Sequence, residues 1–450
     1  MATSEKMHIN AEPTKAFFVD MLTRDIPLEQ AVLDLVDNSV DGAKSLAKAG
    51  DLPFDGRQIE IEFSKNKFRI WDNCGGFDSA SAAEYAFRFG RPAGIPRATH
   101  SIGQFGVGMK RALFKFGNRF IVRSSTPNDS WEIDVDVPAW EAEQGWVFPW
   151  GQFTPDGCIS PESPGTEIIA SNLRPEVSWK FSTSMFQNSI VGLIKSKHRQ
   201  FIASGLSVKV NGTHLDASSL YLLMTQDSKF RPGVDELVFE EADKVPVKVR
   251  IIVGIGPSAP REAGWYVVCN GRVVLEADRR SVTGWGLIEE SSNSIAIPSF
   301  HNQFARFRGV VTFDSDDSSL VPWNTTKTDI DQDGPVWQKT FSRMMEMMRP
   351  VISFLNELDS DIDEHTKEHS PLLQYVSGAT PVKHDALPTH RTAFAAPARS
   401  SITARIRTVK IQYSRPVESV NSLMKELGVA SAKAVGERTF DMIFDSTEDE

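Results

Sequence analysis

The sequence predicts an α+β fold: a mixed sheet with helices on one face, a second α/β domain after it, and a small C-terminal module. Three observations carry this. Residues 13–48 repeat apolar positions at helical spacing, with a helix start near Asp25 or Pro27. Residues 58–71 alternate like the two strands of a hairpin, and 119–135 and 165–170 read as further strands. From about 206 to 330 strands dominate again (LSVKVNG, VPVKVRIIVGIG, GWYVVCNGRVVL, FRGVVTF), closed by a helix over 335–358.

The remaining elements follow in order. Residues 79–102 mix small, aromatic and basic residues and suit a long mobile loop. Met109 to Phe116 reads as a short helix opened by glycines, and a helix near 180–205 joins the two domains. Residues 360–400 are rich in Pro, His, Ala, Ser and Thr without periodicity, which predicts a flexible linker. The last fifty residues give a strand (ARIRTVKIQYS), then VESVNSLMKELGV, then SAKAVGERTFDMIFD. The expected domains are 1–200, 201–359, the linker 360–400 and the module 401–450.

Composition excludes several classes. The 450 residues are 40% hydrophobic and 24% charged, as in an ordinary globular protein. No run of 18 apolar residues predicts a membrane helix, and MATSEKMHIN has no apolar signal core. Cys74, Cys158 and Cys269 are too widely spaced for a zinc site or a disulfide framework, so a reducing cytoplasm is the expected home. A net charge of -10 argues against a surface built wholly for nucleic acid.

Chemistry concentrates in five segments. In the helix around Leu33–Ala43, Asp34, Asn38 and Asp41 stand at i, i+4 and i+7 and share a face. There an acid can align or deprotonate water, and a carboxamide oxygen can ligate Mg²⁺. Asp72-Asn73-Cys74-Gly75-Gly76 follows a strand, so Asp72 can accept from an adenine amino group beside a close-approaching backbone. Gly103 to Gly108, leading to Lys110, offers free amides and a helix N-terminus to phosphates, without being a Walker A loop or a dinucleotide fingerprint. Gly165-Thr166 opens a strand, and its hydroxyl can share a water with Asp72 and the base. Lys327, in Asn324-Thr325-Thr326-Lys327-Thr328-Asp329, can reach a terminal phosphate as a point charge. Each segment alone also fits a solvated helix face, an Asx turn or a plain loop. Their order is what is informative.

That order (D-x-x-x-N on a helix, D-N-x-x-G after a strand, G-x-x-G-x-G, then G-T) resembles the GHKL ATPase superfamily. The group includes gyrase B, MutL, the ninety-kilodalton heat-shock chaperone, histidine kinases and the MORC proteins. IGQFGVG resembles the chaperone's lid, and MKRALFKFG is more similar to MORC. WYVVCNGRVV and NTTKTD resemble a transducer domain. The likeness covers about residues 10–355 and is greatest to MORC-like bacterial ATP-binding proteins. It implies a Bergerat-type ATPase sandwich followed by a transducer-like domain, with ATP and Mg²⁺ as ligands. It implies that Asn38 ligates the metal, and that Asp72, Gly76 and Thr166 hold the adenine. It implies that Gly103, Gln104, Phe105, Gly106, Val107 and Gly108, with Lys110, wrap the phosphates. Lys327 would sense the γ-phosphate, and Asp34 stands where relatives carry the water-activating Glu.

Two departures shape the expected activity. Asp34 is one methylene shorter than that Glu, and a misplacement of ~1 Å can cost roughly 10²-fold in rate. Slow hydrolysis is therefore expected, with an ATP-gated homodimer closing in a DNA-related or defence process. The alternatives are a nucleotide switch that scarcely hydrolyses, and a chaperone-like ATPase. Cys74 replaces the first Gly of the common D-x-G-x-G pattern. The C-terminal segment resembles a ribbon-helix-helix layout. Lys383, Arg391, Arg399, Arg405, Arg407, Lys410 and Arg415 against Asp385 suggest a DNA arm, or a protein effector contact, within 383–450.

Overall fold

The computed structural model describes residues 13–88, 100–103, 106–242, 244–287, 297–360, 371–397 and 411–448, in two compact units, 1–399 and 400–450. The first unit opens with α1 (Lys15–Arg24) and α2 (Leu28–Ser45), broken at Asp25–Pro27 as the sequence predicts. Then come β1 (Gln58–Phe63), β2 (Lys67–Asp72), and α3 (Ser79–Ser81), which runs into a π-helical turn at Ala82–Ala86. They are followed by α4 (Gly108–Phe116), β3 (Gly117–Ser125), β4 (Ser130–Asp136), α5 (Val137–Ala142) and β5 (Gly165–Leu173). The half ends with α6 (Pro175–Phe181), α7 (Ser184–Lys197), α8 (Arg199–Ala203), β6 (Ser207–Val210) and β7 (Thr213–His214).

These seven strands form one mixed sheet in the order β4-β3-β5-β2-β1-β6-β7, with β1 and β6 parallel. Alternation sends Ile59, Ile61, Phe63, Phe68 and Ile70 inward, where they share a core with Val32 and Val36 of α2 and Leu113 and Phe116 of α4. Residues of opposite phase carry charge instead: Arg69 meets Glu167 at 2.6 Å, and Arg123 meets Glu132 at 3.3 Å.

The second half holds β8 (Tyr221–Met224), β9 (Gly233–Phe239), β10 (Val247–Ile255), β11 (Gly264–Cys269), β12 (Arg272–Asp278) and β13 (Phe307–Asp314). After these come α9 (Pro335–Ser360), α10 (Pro371–Gly378) and β14 (Thr380–Lys383). Its sheet runs β12-β11-β13-β10-β9, and α9 buries Met344, Met348, Val351 and Leu355 against it. The second unit contains α11 (Val417–Leu427) and α12 (Ala432–Glu448). Among the described residues no helix is long and apolar enough to cross a membrane.

The structure differs from the sequence expectation in four places. Strand β6 pairs with β1, so the first sheet reaches His214, past the expected boundary at residue 200. Residues 371–397 are not a free linker: β14 pairs with β8, Leu372 and Leu387 are buried, and Thr392 and Ala395 bridge to Val234 and Arg231. Composition hid this because the partners that satisfy that backbone come from β8 and β9, far away in sequence. Residues 79–86 are helical rather than a loop, while 89–99 lie outside the described residues. Most of the expected C-terminal strand also lies outside them, and 411–416 are irregular. Of the proposed basic arm, Lys383 is part of β14, and Arg391 stands 3.4 Å from Asp235 in the first unit. Arg399, Arg405, Arg407 and Lys410 lie outside the described residues.

Candidate functional site

The same alternation that builds the core also builds the site. Phe68, Ile70 and Asp72 are successive inward residues of β2, so the strand ends with a carboxylate where a methyl would continue the pattern. Register carries that row across the sheet: Asp72 faces Ile59 on β1 and Thr166 on β5, and Thr166 faces Ser124 on β3. The apolar face thus closes in a polar row at one edge of the core.

Asp72 Oδ2 accepts from Ser39 Oγ at 2.6 Å, and Oδ1 accepts from the Cys74 and Thr166 amides at 3.0 and 3.3 Å. A carboxylate offers about four acceptor positions, so these contacts leave capacity for one ligand donor. Burial pushes the Asp72 pKa up, and the three donors oppose the rise. The chain then turns through Gly75 (φ +94°) and Gly76 (φ +62°). A Cβ on Gly76 would lie 2.2 Å from the Ser125 carbonyl oxygen, so glycine is required there. Cys74 fits the pattern's first glycine position without a positive φ and is buried.

A cavity of about 510 Å³ lies over this row, between α2, the loop into α4 and the loop that carries Lys327. Helix α2 is not half-solvated. Across Ala31–Val40 every residue is buried except Asn38, which lines the cavity. Asp34 is buried one turn earlier, accepting from Gln30 Nε2 at 3.0 Å and packing under Gly108. Burial raises its pKa, while Lys327 at 4.0 Å pulls it back down. Asp41 accepts from the Ile102 and Gly103 amides at 2.7 Å each, so its role is to fix the root of the glycine-rich loop. Gly106 (φ +63°) and Val107 lead to the N-terminus of α4, which also lines the cavity. Gln104 and Phe105 lie outside the described residues. Lys110 lines the cavity too, but its Nζ donates to the Ala86 carbonyl at 2.7 Å, and burial lowers its pKa to about 8.

Asp37 has no role in the sequence-derived site. The structure makes it the centre of a buried charge cluster. Asp37 is fully buried; its Oδ1 meets Arg272 Nε and His198 Nε2, and its Oδ2 accepts from Lys327 Nζ, each at 2.8 Å. Burial opposes its charge, but Arg272, Lys327 and His198 outweigh burial and hold the carboxyl well below the usual range. Burial depresses the His198 pKa, so the imidazole is neutral near pH 7. Two cations therefore face one full anion, with Asp34 nearby. Lys327 lines the cavity wall, tied there to an acid that has no place in the sequence-derived site.

A signal for Asp37 existed. It lies on the apolar stripe Leu33, Val36, Asp37, Val40, and a charge in such a stripe requires a partner. The partner comes from a two-residue turn between β11 and β12, where Asn270 (φ +47°) and Gly271 (φ +83°) give the Asn-Gly geometry of a tight hairpin. That turn sets Arg272 against Asp37. It also brings Asn270 to the loop root, where its Nδ2 donates to the Ser101 carbonyl at 3.4 Å. Lys44 of α2 closes the seam by donating to the His100 and Asn270 carbonyls at 2.8 and 2.9 Å.

Among the described residues no cluster of three or more His, Cys, Asp or Glu could hold a metal unaided. A cation beside Asn38 would then draw most of its oxygens from phosphate and water, as Mg²⁺ does. Comparison with known proteins gives one result. Residues 26–156, under a third of the chain, match the family of histidine kinase-, DNA gyrase B-, and HSP90-like ATPases. The matched stretch runs from α2 through α5 and includes the glycine-rich loop, so it supports a GHKL-type ATP-binding domain there; Thr166 and Lys327 lie beyond the match. No curated protein matches the chain.

Proposed function

We propose that this chain binds Mg-ATP in the α2 cavity, hydrolyses it slowly, and uses the bound nucleotide to gate closure of a homodimer. The reading rests on one observation above others: Asn38 alone breaks the buried run of α2, opening onto the cavity shared by Asp72, the glycine-rich loop and Lys327. Asp72 accepts from the adenine amino group with its remaining acceptor position, and Gly76 and Thr166 shape that end. Asn38 gives a hard oxygen to Mg²⁺, whose charge offsets that of the phosphates. Gly103, Gly106, Val107 and the α4 N-terminus present amides to the phosphate chain. Asp34 takes a proton from water as its oxygen bonds to the γ-phosphorus. The bond to the bridging oxygen breaks, and that oxygen leaves with ADP. Lys327 offsets charge on the γ-phosphoryl group.

Closure by a second copy is supported by α1, which exposes Phe17 and Met21 on one face beside α4. A MORC-like kinship, a DNA or protein effector, and a cytoplasmic site of action belong to this same proposal.

A second reading, a nucleotide switch with little turnover, is favoured by the state of Asp34. That carboxylate is held by Gln30 at 3.0 Å and packs under Gly108, which keeps it from reaching forward to make up for its missing methylene, although burial leaves its pKa raised. Phosphate release from Mg-ATP by wild type, Asp34→Asn and Asn38→Ala separates the readings. Turnover lost in both variants supports the hydrolase. Binding that depends on Asn38 without turnover supports the switch. Binding indifferent to Asn38→Ala rejects the site.

A further inference from the structure

The last turns of α2 grip the root of the glycine-rich loop with both signs of charge. Asp41 accepts from the Ile102 and Gly103 amides at 2.7 Å each. Lys44, at i+3 from Asp41, donates from Nζ to the His100 carbonyl at 2.8 Å. The same nitrogen donates to the Asn270 carbonyl at 2.9 Å, in the hairpin of the second sheet, and lies 3.8 Å from Asp41 Oδ1. The Phe201 ring stands 4.9 Å from it. The Lys44 side chain is only 15% exposed, and burial lowers its pKa while Asp41 pulls it back up.

Both carbonyls come from strained residues, His100 (φ +54°) and Asn270 (φ +47°). Such backbone persists only where contacts fix it. Asn270 is fixed from its own side: its amide donates to the Phe313 carbonyl at 2.8 Å, and its Oδ1 accepts from the Ser315 amide at 3.0 Å. The carbonyl it offers to Lys44 is therefore anchored to the end of β13. Asp41 ties the loop root to α2. Lys44 ties it to the second sheet as well, through a charge-assisted bond much shorter than the 3.4 Å contact from Asn270 Nδ2 to the Ser101 carbonyl.

Asp41, Gly42 and Ser45 line the cavity, but Lys44 does not. Its effect on a bound nucleotide therefore passes through the loop whose root it holds. That loop runs through Gly106 into the N-terminus of α4, which does line the cavity. A misplacement of ~1 Å at such a point can cost roughly 10²-fold in rate.

We propose that Lys44 is a positioning residue: its ammonium sets the glycine-rich loop in register with the second sheet, so the phosphate end of the site depends on the far half of the chain. The consequence for turnover rests on the Mg-ATP reading above, whereas the tie between loop and hairpin does not.

The test uses the full chain and two readouts. Hydrogen exchange without nucleotide reads the tie. Lys44→Met should speed exchange about tenfold at the Ile102, Gly103 and Ser315 amides and leave the β3–β5 ladder unchanged. Hydrolysis of Mg-ATP reads the positioning. Lys44→Met should lower kcat about 100-fold with KM within about twofold, and methylammonium should restore Lys44→Ala while leaving wild type unmoved. Unchanged exchange at those three amides overturns the proposal. So does a kcat within about threefold of wild type, faster exchange shared by the β3–β5 ladder, or a Lys44→Ala variant indifferent to methylammonium. Should wild type bind ATP without turnover, the second readout is the ratio of ATP to ADP affinity, which Lys44→Met should lower about tenfold; an unchanged ratio overturns the proposal. A wild type that binds no ATP rejects the nucleotide reading itself, and the exchange result then decides the tie alone.

Discussion

Asp37→Asn keeps the shape of the side chain and removes its charge. Asp37 and Arg272 are fully buried and Lys327 is 7% exposed, so the variant leaves two buried cations with only the more distant Asp34, 4.0 Å from Lys327, to offset them. Removing one partner of a buried pair costs about 3–5 kcal/mol. With a urea dependence of about 3 kcal/mol per molar, the midpoint should fall by roughly 1–1.7 M. The pH profile gives a second check. A native pKa below the unfolded value of about 3.9 makes Asp37 stabilise wherever it is ionised in both states. That contribution is lost only as pH falls from there toward the native pKa. The gap between wild type and Asp37→Asn should therefore stay flat from pH 8 to 5 and narrow below about pH 4. Urea unfolding followed by circular dichroism measures both. The triple change Asp37→Leu/Arg272→Met/Lys327→Met should recover most of the loss, because it removes both buried cations with their anion and leaves only Asp34, which Gln30 still contacts at 3.0 Å. A loss under about 1 kcal/mol, or a triple variant no better than the single, would refute a desolvated cluster.

Two further predictions concern the nucleotide. Lys327→Met should lower ATP turnover roughly 10- to 150-fold, the equivalent of a charged hydrogen bond worth about 1.5–3 kcal/mol, while ADP affinity measured by calorimetry stays within about twofold; equal losses for ATP and ADP would remove the γ-phosphate from the picture. Gly76→Ala should abolish nucleotide binding, since its Cβ would lie 2.2 Å from a carbonyl oxygen. Gly145→Ala, also at positive φ but in open space, should cost only about 1 kcal/mol of stability and leave binding intact.

Sequence made local periodicity legible and left long-range partners hidden. The strand phase that ends in Asp72, the break at Pro27, the glycine demand at Gly76 and the opening of α4 all follow from spacing within a dozen residues. Asn38 was found for a related reason, since a carboxamide one turn from an acid stands out on any helix. Asp37 stood beside it on the apolar stripe, but its significance depends on Arg272 and His198, which reach it from 235 and 161 residues away. Strand β14 failed to show for the same reason. A four-residue segment containing Pro381 has no strand signature until β8 supplies the other half of its hydrogen bonds.

Backbone strain points to the same seam as the charges. His100 (φ +54°), Asn270 (φ +47°) and Lys327 (φ +55°) are non-glycine residues held in the left-handed region. Such positions cost on the order of 1–3 kcal/mol each and persist only where surrounding contacts fix them. All three join the first sheet's half to the second sheet: His100 and Asn270 through Lys44, and Lys327 through Asp37 and through its carbonyl, which accepts from Arg272 at 2.7 Å. A ligand shifts a conformational balance only by the difference in its contacts between two states. In the proposed mechanism that difference is available here. A γ-phosphate competes with Asp37 for Lys327, and the lysine is anchored by its own backbone to the residue that would be left holding Asp37. Trading one anion for another at Lys327 therefore loads the Arg272 hairpin, and through Asn270 the root of the glycine-rich loop. A phosphate's presence can reach both the second sheet and the loop through this one lysine.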